Sequence, residues 1–183
     1  MRRLDLYACM NTEEDAIQWC RDKSILPRSM LCDICSNQMR EEGSEGIDSK
    51  MWGCRRTIDG KRHQVRKSIR AGSFFADANL SLATILRLLY EWSRCVPIEE
   101  TAFQLKVHKD TVGLWFSRFR ELIEWNKDNS PSEKIGGEGT IVEVDECQIG
   151  RRKHHRGRAP KTRWVFGGIV RGSAGHNCFI DVV

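Results

Sequence analysis

Four residues carry the clearest chemical signal in this chain: Cys32, Cys35, Cys54 and His63. Zinc takes four thiolate or imidazole ligands in a tetrahedron, and two cysteines separated by two residues supply half of that set from one turn. Cys54 lies 19 residues beyond Cys35, a span that a β-hairpin covers, and offers a third ligand. Cys54 has no second cysteine at knuckle spacing, so the fourth ligand is assigned to His63, nine residues on, with Cys20 in reserve. The competing reading is a set of buried free thiols. Eight cysteines in 183 residues are too sparse for a disulfide scaffold, and a CxxC pair in a reducing compartment points to metal or redox chemistry. Cys9, Cys95, Cys147 and Cys178 show no ligand spacing and are expected to be packing thiols.

The segment 137–146, GEGTIVEVDE, holds a second set. Strand alternation places Val142 and Val144 on one face and Glu143 and Asp145 on the other. A carboxylate fixed on a strand suits a two-metal phosphoryl-transfer site, where it bridges divalent cations that activate one oxygen and stabilise another. Spacing alone leaves the ordinary reading standing, a solvated acid on a strand. The third set flanks Lys106-Val107-His108, where one short helical pattern gives way to another. In a helix-turn-helix a small residue lets the two helices approach, and Ala102 occupies that place. The polar N-terminal residues of the second helix then face the major groove: Lys109, Thr111 and Arg118, with Leu114 among them and Trp115 turned inward. A helical hairpin without a ligand gives the same pattern.

These groups need elements to hold them. Residues 12–25 read as a helix opened by a Thr12-x-x-Asp15 capping box, carrying Ala16, Ile17, Trp19 and Cys20, with Pro27 past its end. Residues 31–66 lack helical periodicity and are rich in Gly, Cys and charge, which suits a small metal-held unit. Residues 77–96 form the strongest helical pattern, with Leu82, Ile85, Leu86, Leu89 and Trp92 on one face and Pro97 as its stop. Ile98, Ala102 and Leu105 mark the next helix. Val112, Trp115, Phe116, Phe119, Leu122 and Ile123 mark the one after. Residues 126–139, NKDNSPSEKIGGEG, read as a linker, and Thr140–Gln148, Trp164–Val170 and Cys178–Val183 as strands beyond it.

With 40% apolar and 30% charged residues the chain is neither a disordered tail nor a membrane protein. It has no apolar run of about 18 residues and no secretory signal, so it reads as intracellular and soluble. The net charge of +5 conceals two blocks. Residues 50–70 hold 8 basic and 1 acidic residues, and residues 151–163 hold 7 basic and none acidic, whereas residues 1–48 hold 6 basic and 10 acidic. Concentrated blocks beside a helical pair are the footprint of a phosphate-backbone partner. DNA is therefore the expected partner, held by Lys109, Thr111 and Arg118 and by the basic loop with Arg151, Arg152, Lys153, Arg156 and Arg158. His154 and His155 belong to that loop rather than to a metal site.

SIRAGSFF at 68–75, LRLLYEW at 86–92, IGGEGTIVEVDECQIGRRKHHRGR at 135–158 and WVFGGIVRG at 164–172 resemble the Merlin-type transposases and their bacterial insertion-sequence relatives. The likeness runs from about Ala16 to Val183. It implies an α+β multidomain chain: an N-terminal helix (1–27), a zinc-ribbon-like unit (28–70), a helix-turn-helix DNA-binding segment (71–125), the linker (126–139), and the start of a ribonuclease H-like catalytic domain (140–183). It implies that Asp145 is the first catalytic Asp and a Mg²⁺ ligand, and that Cys32, Cys35 and Cys54 are ribbon cysteines. His63 stands about where the family places its last ribbon cysteine. The family's core holds two further acidic or amide ligands beyond the third strand, which is where this sequence reaches Asp181-Val182-Val183. Asp181 comes too early to match the second catalytic Asp, so the expectation is a C-terminally truncated transposase in which these residues alone do not cleave DNA.

The function implied is recognition of transposon ends and, in a complete domain, Mg²⁺-dependent cutting and joining of DNA. The alternatives are a catalytically dead DNA-binding remnant or repressor, and a zinc-stabilised protein-interaction domain. A homo-oligomer is an open expectation and a membrane is not expected. The location is the nucleus in a eukaryotic host, otherwise the cytoplasm or nucleoid.

Overall fold

A computed structural model describes residues 7, 10–129, 134–149, 163–173 and 178–182. The chain divides into two units, 1–125 and 126–183. It is a mixed α+β protein with four helices and two three-stranded antiparallel sheets among the described residues.

Thr12 opens helix α1 (Glu13–Asp22) through the predicted capping box: its hydroxyl accepts from the Asp15 N–H, and the Asp15 carboxylate accepts from the Thr12 N–H. Ala16, Ile17 and Cys20 are buried. The helix ends three residues before the expected 25, and Ser24 takes a left-handed φ of 57° just beyond it.

Residues 31–66 form more regular structure than their composition suggests. Strands β1 (Arg40–Gly43), β2 (Lys50–Ile58) and β3 (Lys61–Ser68) make one sheet in that order. The β2–β3 turn is Asp59-Gly60, both at positive φ (48° and 75°), the two-residue geometry whose twist matches a hairpin. Period-two alternation gives the sheet two unlike faces. Met39, Glu41, Trp52, Cys54, His63 and Val65 share one, and Arg21 of α1 reaches it by pairing with Glu41 at 2.6 Å and lying over the Trp52 ring. Arg40, Glu42, Arg55, Arg62, Gln64 and Arg66 share the other.

Helix α2 (Leu82–Ser93) is capped by Ser81, whose hydroxyl accepts from the Thr84 N–H. It is shorter than the predicted 77–96. Upstream, the carbonyls of Ala78 and Leu80 accept from Arg70; downstream, Cys95 adopts a φ of 56°. Leu82, Ala83, Ile85, Leu86 and Leu88 are buried, while the predicted Leu89 and Trp92 are half-buried. Arg70, 2% exposed, ties three segments together. Its guanidinium donates to both Asp48 carboxylate oxygens, to the Leu80 carbonyl at 2.7 Å and to Glu13 at 3.3 Å. Glu13 in turn accepts from the Leu82 and Ala83 N–H groups at the α2 N-terminus. Desolvation by burial raises the Glu13 pKa against the lowering effect of those hydrogen bonds.

Helices α3 (Ile98–Leu105) and α4 (Lys109–Asn129) are broken at Lys106, a left-handed C-cap with φ 54° whose N–H bonds the Ala102 carbonyl. Thr101 is fully buried and Ala102 half-buried. From α4, Val112, Trp115, Phe116 and Phe119 enter the core, where Trp115 and Phe119 meet Phe74 and Trp92 at ring separations of 5.6–6.3 Å. The predicted stripe does not stay buried. Leu122 and Ile123 are exposed, because the apolar period runs a turn beyond the surface it packs on. The helix also continues to Asn129, so the first four residues of the expected linker are helical.

In the second unit β4 (Val142–Ile149), β5 (Arg163–Val170) and β6 (Cys178–Val182) form an antiparallel meander, within two residues of the predicted bounds. Gly168 lets Phe179 lie close, since a Cβ there would stand 2.5 Å from its ring and 3.2 Å from Val144.

Candidate metal centre

Residues 32–37 close into a knuckle: the Ser36 N–H bonds the Cys32 carbonyl at 2.8 Å, and the Cys32 N–H bonds the Asn37 carbonyl at 2.9 Å. Ser36 takes the left-handed conformation, φ 54°, that turns the chain back. This presents two thiols toward one face of the β2–β3 hairpin. On that face Cys54 and His63 are diagonal neighbours, since Cys54 pairs with Val65 and Arg56 with His63. The knuckle supplies two donors and the hairpin two more.

The four donor atoms all lie within 4.8 Å of one another. Cys35 Sγ is 3.6 Å from Cys54 Sγ, and His63 Nε2 is 3.6 Å from Cys32 Sγ and 3.4 Å from Cys54 Sγ. A tetrahedral ion with metal–sulfur bonds of about 2.3 Å and metal–nitrogen bonds of about 2.05 Å sets its donors about 3.8 Å (S to S) and about 3.6 Å (S to N) apart. The separations fit such an ion. Cys32 and Cys54 are buried, while Cys35 and His63 are half-buried.

The thiols share their acidity unequally. Burial pushes Cys54 up to about 11, and hydrogen bonding with Cys35 and Cys32 adds to the rise. Burial acts upward on Cys35 as well, yet hydrogen bonds from the Asn37 backbone and side chain and from the two other thiols bring it down to about 6. One negative charge is tolerated and the next is resisted. A divalent cation removes that resistance, so a bound metal and full deprotonation favour each other. His63 Nδ1 is buried without a hydrogen-bond partner, so imidazole orientation rests on packing rather than on a carboxylate or carbonyl behind it. Cys20, held in reserve at the sequence level, sits in the core beside Ala16 and Ile17 and is not in the cluster.

Cys95, Cys147 and Cys178 correct an expectation. They are exposed rather than packed, Cys95 in the turn after α2, Cys147 on β4 and Cys178 on β6. Cys9 lies outside the described residues.

Asp145 stands in β4, exposed, with its Oδ1 accepting from the next N–H at 2.8 Å. It pairs with Gly167 of β5, and a groove of about 560 Å³ opens there beside Glu143, Val165, Ile169 and Ile180. Glu143, on the same face, is paired with Arg171 at 2.7 Å. Asp181 faces the other way, because it pairs with Phe166, opposite Glu146. Among the described residues, the Cys–His quartet is the group of three or more such side chains close enough to share an ion, and Asp145 is not part of one.

The predicted DNA contacts divide. Lys109 is exposed at the α4 N-terminus with Thr111 half-buried after it, and Leu114 points outward at 53% exposure. Arg118 is half-buried, its guanidinium 5.1 Å over the Trp115 ring. Over its whole length α4 carries as many acids (Asp110, Glu121, Glu124, Asp128) as bases (Lys109, Arg118, Arg120, Lys127). Arg151, Arg152, Lys153, Arg156 and Arg158, with His154 and His155, lie outside the described residues. The residues that sequence reasoning did not single out are the hairpin arginines. Their signal was the alternation in KRHQVRKS, which sends Arg62, Gln64 and Arg66 to one side and His63 and Val65 to the other.

Compared with known proteins, the chain matches no family model, no curated protein and no solved structure.

Proposed function

We propose that this chain binds duplex DNA through a zinc-held hairpin and the helix pair α3–α4, and that it is a transposase of the ribonuclease H-like, Asp-metal type. The observation that carries the DNA reading is the Cys32–Cys35–Cys54–His63 cluster on one face of a hairpin region holding 8 basic residues and 1 acid. A structural zinc suits that donor set, three thiolates and an imidazole. Fixing the hairpin removes most of the ordering cost that a loose basic loop would meet on contacting a phosphate backbone. No helix among the described residues is long and apolar enough to cross a membrane.

The transposase reading adds Asp145. It is exposed on the first strand of an antiparallel meander, over a groove, opposite Gly167. In this reading Asp145 holds a Mg²⁺ ion that supplies Lewis-acid activation of a phosphodiester. Lys109, Thr111, Arg118 and the basic loop Arg151–Arg163 bind the transposon ends. A catalytically silent DNA-binding remnant or repressor is the second reading, favoured by Asp145 belonging to no group of three or more metal-ligating side chains among the described residues.

One assay separates the two. Incubated with duplex DNA and Mg²⁺, a transposase nicks strands and loses that activity in Asp145→Asn while retaining DNA affinity. The remnant binds equally well with Asp or Asn at 145 and nicks nothing.

A further inference from the structure

The outer face of the β1–β3 sheet is built around an absent side chain. Gly53, at the centre of β2, pairs with Arg40 on one side and Arg66 on the other, and Arg55 follows two residues along the same strand. All three arginines project from the face that carries Gly53, opposite the face of the metal cluster. The space over Gly53 is occupied by the carboxylate of Glu42. A Cβ at residue 53 would stand 2.5 Å from Glu42 Oε1 and 2.7 Å from Oε2. Glu42 pairs with Arg55 at 2.8 Å and lines, with Gln38, Arg40, Arg55 and Arg56, a cavity of about 320 Å³.

On and around the metal-bearing face, Arg21, Lys50 and Lys67 are paired with Glu41, Glu14 and Asp33, while Arg56 and Lys61 near the hairpin turn are in no ion pair among the described residues. On the outer face Arg40, Arg62 and Arg66 are exposed and belong to no ion pair among the described residues. Glu42 is the single acid in the three strands that faces this way. Four arginines on one sheet face, Arg40 on β1, Arg55 on β2 and Arg62 and Arg66 on β3, present forked donors suited to phosphate oxygens.

We propose that this face is the contact surface for the phosphate backbone of duplex DNA, and that Glu42 occupies the Gly53 recess as an internal stand-in for a phosphate. This rests on the DNA-binding reading above and assigns it to a surface outside α4. A backbone phosphate entering the recess takes over Arg55 and the neighbouring Arg40 and Arg66, while the Glu42 side chain swings toward solvent. Glu42 therefore competes with the ligand and lowers affinity and non-specific binding alike.

The test measures affinity for a fluorescent duplex, across a salt series, in the metal-loaded full chain and its variants. Arg40→Gln and Arg66→Gln are expected each to weaken binding several-fold and to reduce the slope of log affinity against log salt by about 1. Glu42→Gln keeps the shape but not the charge, and is expected to tighten binding about fivefold or more. Glu45→Gln, which removes the same charge from the exposed β1–β2 loop, is expected to change it less than about twofold, the long-range share of one charge. Equal effects of Glu42→Gln and Glu45→Gln, together with unchanged binding in both arginine variants, overturn the assignment of this face and leave DNA binding itself standing. Displacement of the duplex by polyglutamate at equal charge concentration also overturns it, since the face would then read acidic chains in general. Failure of the parent chain to bind duplex at low salt removes the DNA reading, and this inference with it.

Discussion

At the scale of single residues, the strongest statement concerns four donor atoms within 4.8 Å. Thiolates bind metal only after losing their protons, so affinity must rise with pH until the last thiol has ionised. Cys35, at about 6, is already a thiolate at neutral pH, whereas Cys54, pushed up to about 11, must be driven off its proton by the ion. Zinc uptake at pH 7 is therefore expected to release protons, and zinc affinity to fall as the pH drops from 8 to 6. Cobalt or zinc titration with a pH indicator reads both. The Cys54→Ser variant should lose tight binding outright, since it removes the donor that touches both Cys35 and His63. Binding unchanged by pH or by that substitution would mean that the cluster is a set of packed thiols. The residue types and spacings made this site legible in the sequence, including the choice of His63 over Cys20. What no spacing revealed was the recess at Gly53, because it depends on which residues face each other across three strands.

At the scale of elements, the hairpin and the Arg70 junction bear most of the structural consequence. An ion held by the cluster would join two donors of the knuckle to two of the hairpin. Chelation should then raise hydrogen exchange across residues 28–66 while leaving α2 protected, and equal exchange before and after chelation would contradict a structural ion. Glu13 links α1 to the α2 N-terminus and to buried Arg70. Glu13→Ala should cost about 2 kcal/mol in denaturant unfolding, through the lost cap and a less compensated guanidinium. A change below about 0.5 kcal/mol would show that Asp48 alone suffices for Arg70. Helix existence followed from periodicity and from Thr12 and Pro97, but helix ends did not. The α2 start is set by a tertiary bond to Glu13, and α4 outlasts its own packing surface, since its period persists after burial stops at Phe119. The Asp59-Gly60 turn stood in the sequence as a two-residue hairpin signal and would have marked β2 and β3. On α4, substitution of Lys109 and Arg118 is expected to weaken DNA binding more than substitution of Lys127 does. Equal effects in a retardation assay would remove the α4 N-terminus from the interface.

At the scale of the whole molecule, the chain's charge is sorted by element rather than spread. The first 48 residues are acidic and meet the basic segment 50–70 through Glu13, Glu14, Asp33, Glu42 and Asp48, which neutralise Arg70, Lys50, Lys67 and Arg55. Of the four bases of that segment left without an ion pair among the described residues, Arg62 and Arg66 lie on the outer sheet face and Arg56 and Lys61 on the metal-bearing one. Segment-by-segment charge counting in the sequence found the basic block, but not that half of it is neutralised internally, which needs the fold. The second unit exposes Val144, Trp164, Ile180 and Val182. Its sequence pattern gave the strands and the facing of Asp145 because alternation is a local property. The central claim is that a metal-held basic sheet binds duplex DNA. Its most direct test is the affinity of the zinc-loaded chain for a labelled duplex between about 50 and 200 mM salt, repeated after chelation. Clear binding is expected at the lower salt, with a loss of tenfold or more at the higher as phosphate contacts are screened, and weaker binding without zinc. No binding at low salt, or an affinity indifferent to both salt and zinc, would contradict it.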